Sequence, residues 1–383
     1  MKRFLTLLGL AAAAVGAFGQ ALPAPEIAAR EYLLVDMNAG QVLAERGADT
    51  SADPASLTQL MTAYLVFVAL KEHKLALEQK LPVSPRAWAE RKGAGSLMFI
   101  DTTMTPSVDD LLQGLIVDSG NDAAVALAEG VGGSVDAAVA MMNRQAQAWG
   151  LKATTFRNVS GLTEAGHRST PRDLAAIAQH VIRDFPEYYH YYAQRDYKFN
   201  NIRQDNRNLL LARDPSVDGM KTGYTDAAGY CLLASAQRDF PNGKRRLVAI
   251  VMGADSIQGR ANETQKLLNW GFTAFDDVRL VEAGKAVGPP VPVWKGARAQ
   301  VGLGSADAIY VAVPKGEGEH LKSQVERTDP LVAPLARGQR VGSLKVTNAA
   351  GAAIATIPLT VLEDVPQAGL FGRAWDAIRL WIK

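Results

Sequence analysis

The pattern of apolar and polar positions opens with two short runs, Tyr32-Leu33-Leu34-Val35 and Val42-Leu43, on either side of Asn38-Ala39-Gly40. This is the pattern of two strands joined by a glycine-containing turn. Asp53 and Pro54 then signal a helix start, the aspartate as N-cap and the proline in the first helical position, ahead of an apolar run over 57–70. That run is apolar almost all round, which predicts a buried helix rather than a surface one. Helical spacing continues over 108–117, 123–129, 135–149 and 171–182.

Strand-like runs return at 217–221, 230–237 and 246–252, the last two separated by Pro241-Asn242-Gly243-Lys244, a hairpin signal. A helix is predicted over 259–275. Strands at both ends of a helical middle predict an α+β domain, one antiparallel sheet with helices on its faces. From about 281 to 362 the helical pattern stops and glycine- and proline-punctuated runs such as 309–313, 340–346 and 353–361 predict a small all-β domain, a sandwich. The expected division is therefore 22–280, 281–363 and a final helix over 364–383. In that helix Leu370, Phe371, Ala374, Trp375, Ile378, Trp381 and Ile382 share one face, and Arg373, Asp376, Arg379 and Lys383 the other. Two tryptophans beside a basic polar face suit a helix lying in a membrane interface; the alternative is a helix docked by its apolar face on its own protein.

A chain of 383 residues is long enough for a large domain plus a small one. Lys2 and Arg3, an apolar run over 4–18 and the small residues Ala17, Gly19 and Ala21 read as a secretory leader over residues 1–21, removed near Gly19 or Ala21; an uncleaved anchor is the alternative. Loss of Lys2 and Arg3 brings the formal charge from +2 to zero, which argues against a nucleic-acid partner. The single cysteine, Cys231, excludes an intrachain disulfide and a cysteine metal cluster, and the five histidines show no HExxH spacing. No cofactor and no metal are expected.

For a secreted chain without cofactor motifs, nucleophilic catalysis is the main enzymatic option. Ser56 opens the buried helix, where unpaired backbone N–H groups favour a developing anion. A first-turn serine is more often only a helix-start residue. Two other segments raise its standing: Ser119-Gly120-Asn121 between two helical patterns, and Lys221-Thr222-Gly223 on a strand after Val217-Asp218-Gly219.

In this order the three segments resemble the signature of the penicillin-recognising serine enzymes. Among these the chain is most similar to the low-molecular-mass penicillin-binding proteins, serine-type D-alanyl-D-alanine carboxypeptidases of the peptidase S11 family. The resemblance is carried by Pro54-Ala55-Ser56-Leu57-Thr58, by the stretch from Gly114 to Ala123, by Asp218-Gly219-Met220-Lys221-Thr222-Gly223-Tyr224-Thr225, and by 158–173 with Ser160-Gly161-Leu162 and Ser169-Thr170. It implies a penicillin-binding/β-lactamase-like fold followed by the β domain and the amphipathic helix. It also implies a periplasmic enzyme held on the outer face of the inner membrane, with peptidoglycan stem peptides as substrates and β-lactams as covalent inhibitors. By resemblance, Ser56 is the nucleophile, the backbone N–H groups of Ser56 and Tyr224 form the oxyanion hole, and Ser119 relays a proton to the leaving amine. Asn121 orients the peptide, and Lys221, Thr222 and Gly223 meet the terminal carboxylate.

One position departs from the family. Its first motif is Ser-x-x-Lys, whereas this chain has Ser56-Leu57-Thr58-Gln59 and no Ser-x-x-Lys elsewhere. An amide has no basic lone pair near neutral pH, although it can hydrogen-bond to a hydroxyl. Gln59 is thus a harmless polar helix residue, the mark of an inactive homologue, or an introduced substitution. Two rival functions stand beside this one: a β-lactamase, which normally adds a glutamate-activated water whose glutamate the sequence does not place, and a non-catalytic peptidoglycan-peptide binding protein.

Overall fold

The computed structural model describes residues 23–93 and 95–382; the leader expected over residues 1–21 lies outside the described residues. Glu31–Asp36 pairs with Gln41–Arg46 as the predicted hairpin, and also with Gly243–Ala254. Gly243–Ala254 pairs with Gly229–Phe240, which pairs in turn with Val217–Thr225. This closes one antiparallel five-stranded sheet with Val217–Thr225 on an edge.

The strand alternation sorts neighbouring residues into two cores, since successive side chains point to opposite faces. Leu33, Leu233 and Ile250 join the larger core, built with the helical middle of the chain. Leu34, Leu232 and Ala249 join the smaller one, closed by Ala261, Leu267, Leu268 and Phe272 of the helix Ile257–Ala274. The helix Gln59–Lys71 runs through the larger core, buried on every side from Gln59 to Phe67, as its unbroken apolar pattern requires. Around it stand Val108–Ile116, Asn121–Gly132, Val135–Ala148 and Pro171–Asp184. Ser107 and Thr170 cap the first and last of these, each accepting the N3 amide hydrogen.

Residues after 274 form the expected all-β unit with its own core, from Val281 to Val365. A four-stranded sheet is built around Arg340–Thr347 and Ala353–Val361. Phe275–Val281 leaves the preceding helix without a turn and pairs with Ile309–Pro314. Side-chain contacts tie the units together, among them the Asn242 amide on the Asp277 carbonyl at 3.1 Å. The Gln41 side chain pairs with the backbone N–H and C=O of Ala312, and the fully buried Arg245, bonded to Asp36 at 2.7 Å, donates to the Phe275 carbonyl at 3.0 Å.

The final helix, Leu370–Ile382, meets the β unit through its polar side. Asp376 accepts the Lys295 N–H at 2.7 Å, and the Arg379 guanidinium lies over the Trp294 ring at 5.4 Å. Leu370, Phe371, Trp375 and Trp381 stand 63–95% exposed.

Candidate active site

The chain enters the helix that follows Ser56 through a 3-10 turn, Ala55–Thr58, before the α-helix begins at Gln59. This differs from the simple N-cap and first-turn proline that the sequence predicts. The reason is Ala55, whose φ of +46° reverses the backbone one residue before Ser56, while Asp53 accepts the Ala55 N–H at 2.9 Å. A non-glycine residue in this region is strained and persists only when its surroundings hold it. Here they do. Gly161, at φ +91°, presses on the same carbonyl so closely that a Cβ would stand 1.9 Å from Ala55 O, and a Cβ on Gly223 would stand 3.1 Å from Ser56 N. The Ala55–Ser56 backbone is thus held against Gly161 and the edge strand.

Ser119 occupies the break between Val108–Ile116 and Asn121–Gly132, also with a positive φ, +58°. The break is stabilised by the Gly120 N–H on the Gly114 carbonyl, and Asn121 starts the next helix. Asp122 accepts the Met98 and Ile100 N–H groups and so fastens the segment that passes beside the site.

These elements bring the expected residues together. Ser56, Ser119, Asn121, Thr222, Gly223 and Tyr224 line one cleft of about 720 Å³, within the size range of ligand sites. Lys221 lies behind it, fully buried, and donates to Ser119 Oγ at 2.8 Å and to the Thr222 carbonyl at 3.1 Å. Burial, reinforced by Arg207 and Arg260, holds the Lys221 amine well below its ordinary range. Ser56 is half-buried, and its Oγ has no hydrogen-bond partner among the described residues.

Gln59, buried, sits in the middle of this network. Its Nε2 faces three acceptors, the Asn121 Oδ1 at 3.2 Å and the Ser119 and Ser160 carbonyls at 3.3 Å each, while its Oε1 accepts the Ser119 hydroxyl at 3.2 Å. An amide nitrogen carries two hydrogens and an ammonium three. The surroundings of residue 59 therefore match a lysine head group better than the amide that occupies them.

Several cleft residues escaped sequence reasoning. Arg207 lines the cleft and donates to the Asp118 carbonyl, and Arg260 reaches the Gly223 carbonyl at 3.0 Å. Burial lowers both guanidinium pKa values, that of Arg260 to about 10. The buried Asp118 carboxyl is pushed up to about 7 by desolvation. His167 donates to Thr58 Oγ1 at 2.8 Å, because its Nδ1 already accepts the Arg157 N–H, and so braces the turn Ala55–Thr58 from behind. Arg207 and Arg260 carry no local motif; Asp118 and His167 lie inside the stretches Gly114 to Ala123 and 158–173 that carry the resemblance, where the sequence assigned them no role. Among the described residues no group of three or more His, Cys, Asp or Glu side chains converges as metal ligands would.

Comparison with known proteins agrees with this geometry. Residues 19–256 match the D-alanyl-D-alanine carboxypeptidase family and residues 275–367 the penicillin-binding protein 5 C-terminal domain. The chain is 42% identical over 361 residues to the D-alanyl-D-alanine carboxypeptidase DacA of Haemophilus influenzae, covering 94% of this chain and 91% of that protein. Among solved structures, penicillin binding protein 5 from Haemophilus influenzae superposes with a TM-score of 0.85 at 41% identity, over 90% of this chain and all of that one. Penicillin-binding protein D2 from Listeria monocytogenes, in its ampicillin-bound form, superposes at 0.59 with 31% identity, over 66% of this chain and all of that one. With both units matched and the three motifs gathered in one cleft, the chain belongs to the D-alanyl-D-alanine carboxypeptidase family of penicillin-binding proteins.

Proposed function

We propose that this protein is a serine-type D-alanyl-D-alanine carboxypeptidase that removes the terminal D-Ala from peptidoglycan stem peptides through an acyl-enzyme on Ser56, with acylation slowed by Gln59. The observation that carries the reading is the convergence on one cleft of the Ser56 hydroxyl, which has no hydrogen-bond partner among the described residues, the Lys221–Ser119 hydrogen bond and an open edge strand. An extended peptide lies along Val217–Thr225, whose outer edge offers unpaired backbone groups. Thr222 and the cations behind it receive the terminal carboxylate. Ser56 Oγ attacks the penultimate D-Ala carbonyl, and the oxyanion forms against the N–H groups of Ser56 and Tyr224. Ser119, fed by Lys221, gives the leaving amine its proton; water then splits the ester.

With an amide at position 59, the remaining amine is Lys221. For Lys221 to serve, the Ser56 hydroxyl must first turn to Ser119, to which it is not bonded here; its proton then passes to Ser119 as the Ser119 proton turns from Gln59 Oε1 to the Lys221 lone pair, a longer route than direct transfer to a neighbouring lysine. The same substitution favours a second reading, a protein that binds the peptides without turning them over. β-Lactams acylate Ser56 by the same attack. Attachment to a membrane surface is supported by the exposed aromatic side of Leu370–Ile382, since its polar side is the one engaged with protein, and placement on the periplasmic face of the inner membrane rests on the leader expected over residues 1–21. Among the described residues no single helix is long and apolar enough to cross a membrane.

The test is exposure of the protein to a fluorescent penicillin, with peptide mapping, alongside D-alanine release from a pentapeptide. A single adduct on Ser56 that vanishes in Ser56→Ala supports the reading; an adduct on another residue refutes it. Peptide binding without D-alanine release selects the second reading.

A further inference from the structure

Asp118 stands in the break between Val108–Ile116 and Asn121–Gly132, directly before Ser119. It is 1% exposed, and its Oδ1 has no hydrogen-bond partner among the described residues. A carboxylate removed from water is normally paired or hydrogen-bonded, because its charge is costly to bury. Here the nearest donor is engaged elsewhere: Arg207 donates to the main-chain carbonyl of Asp118 and leaves Oδ1 of the carboxyl bare.

Arg207 connects this buried group to the cleft. It lines the cleft together with Thr222 and Arg260, and the next residue, Asn208, donates to the Gly219 carbonyl at 3.0 Å, which fixes the segment to the edge strand. Three charged or titratable side chains act on the Asp118 carboxyl or feel it. Arg207 favours its ionised form, Asp122 opposes it, and Tyr197, whose hydroxyl donates to Asp110 at 2.7 Å, is itself raised in part by the Asp118 charge. Burial outweighs Arg207 and pushes the carboxyl up to about 7, so both of its forms are populated near neutral pH.

We propose that Asp118 is a positioning residue that sets, through Arg207, how tightly the cleft holds the terminal carboxylate of its substrate. The inference rests on the carboxypeptidase reading above. While the Asp118 carboxyl is neutral, the guanidinium meets no charge from it, and the positive charge of Arg207 is directed at the cleft, where a peptide carboxylate pairs with it. Once Asp118 ionises, it compensates Arg207 from behind, and the peptide carboxylate meets a second anion across a site with little water to screen it. Binding of an anionic peptide therefore takes up a proton, and affinity falls as pH rises through the Asp118 titration. Lys221 also loses charge as pH rises, so the trend in the unaltered protein has two sources. Asp118→Asn isolates one of them, because the amide keeps the shape of the carboxyl and never ionises.

The experiment is calorimetric binding of Nα,Nε-diacetyl-L-Lys-D-Ala-D-Ala, and of the same peptide with a C-terminal amide, to the full-length protein and to Asp118→Asn at pH 5.5 and pH 8.5. Binding is read directly, so the outcome does not depend on turnover. The two proteins are expected to bind the acid peptide equally at pH 5.5, and Asp118→Asn to bind it about ten-fold tighter at pH 8.5, the order of effect of one unit charge a side chain away at an intermediate dielectric. The amide peptide should show no such gain. A second measurement needs no variant: at pH 7, titrations of the unaltered protein in buffers of different ionisation enthalpy should show a fraction of a proton taken up with the acid peptide. No proton uptake, a ratio between the two proteins that is the same at both pH values, weaker binding by Asp118→Asn at pH 8.5, or an equal gain with the amide peptide overturns the role of Asp118 while leaving the carboxypeptidase reading intact. Failure of the unaltered protein to bind the acid peptide at either pH overturns that reading, and the role of Asp118 with it.

Discussion

Replacing Gln59 by lysine tests the chemistry at its most exposed point. The amide nitrogen now faces the Asn121 Oδ1 and the Ser119 and Ser160 carbonyls at 3.2–3.3 Å, with two hydrogens for three acceptors. A lysine nitrogen reaches one bond further on the same helix face and can satisfy all three while charged. Once neutral, it presents a lone pair towards the serines. Burial and the nearby Lys221 both favour the neutral amine, so lysine at 59 becomes a base rather than a fixed cation. A positioned general base is worth roughly 10²- to 10⁴-fold, or about 3 to 5 kcal/mol of barrier. Gln59→Lys should therefore raise the acylation rate by a fluorescent penicillin by about that factor, with D-alanine release following. Peptide affinity should change little, because Thr222 and Tyr224 do not touch residue 59. The gain should increase with pH through the lowered lysine pKa and then level off. Equal acylation rates for the two forms across the pH series would refute the reasoning and show that residue 59 is not where the proton is taken.

Two further outcomes follow from the β unit and its surroundings. Removing residues 370–383 deletes the exposed aromatic side but leaves the Gly296–Gln367 bridge and the Ala368–Lys295 hydrogen bond in place, so the protein should move from the membrane to the soluble fraction with its melting temperature nearly unchanged; continued sedimentation with membranes would contradict the anchor. The buried Asp277 carboxyl, raised to about 6 by desolvation and by Asp36, stabilises the fold in its protonated form, so this contribution is present below about pH 4 and is lost as pH rises through 6. Asp277→Asn should remove that loss and gain about 1–3 kcal/mol near pH 8 relative to the parent, read from denaturant unfolding at pH 4 and pH 8; an unchanged pH profile would rule Asp277 out as its source.

The chain alone determined the secondary structure wherever one local force dominated. The unbroken apolar run after Ser56 became a buried helix, the helical spacing over 108–117 and 171–182 became helices that start at Val108 and Pro171, and the β-rich runs over 340–346 and 353–361 became strands with nearly the same limits. The meeting of Ser56, Ser119, Asn121, Lys221 and Thr222 at one place was legible because each belongs to a short motif, and the absence of lysine at 59 was legible for the same reason. Other features had no local signal. The helix Ile257–Ala274 runs into the strand Phe275–Val281 with no glycine or proline between them, and that strand exists because a partner, Ile309–Pro314, lies in the second unit. Arg207, Arg260 and Asp226 are ordinary charged residues in sequence; they enter the cleft because the edge strand is folded against the turn Ala55–Thr58. The positive φ angles of Ala55 and Ser119 are equally silent in sequence, since they are strained conformations held by packing against Gly161 and by the Gly120–Gly114 hydrogen bond. Periodicity and motif chemistry act over a few residues and can be read from the chain. Which side chains share a cleft, and which amines lose their water, depends on contacts between segments a hundred residues apart, and only the tertiary structure decides those.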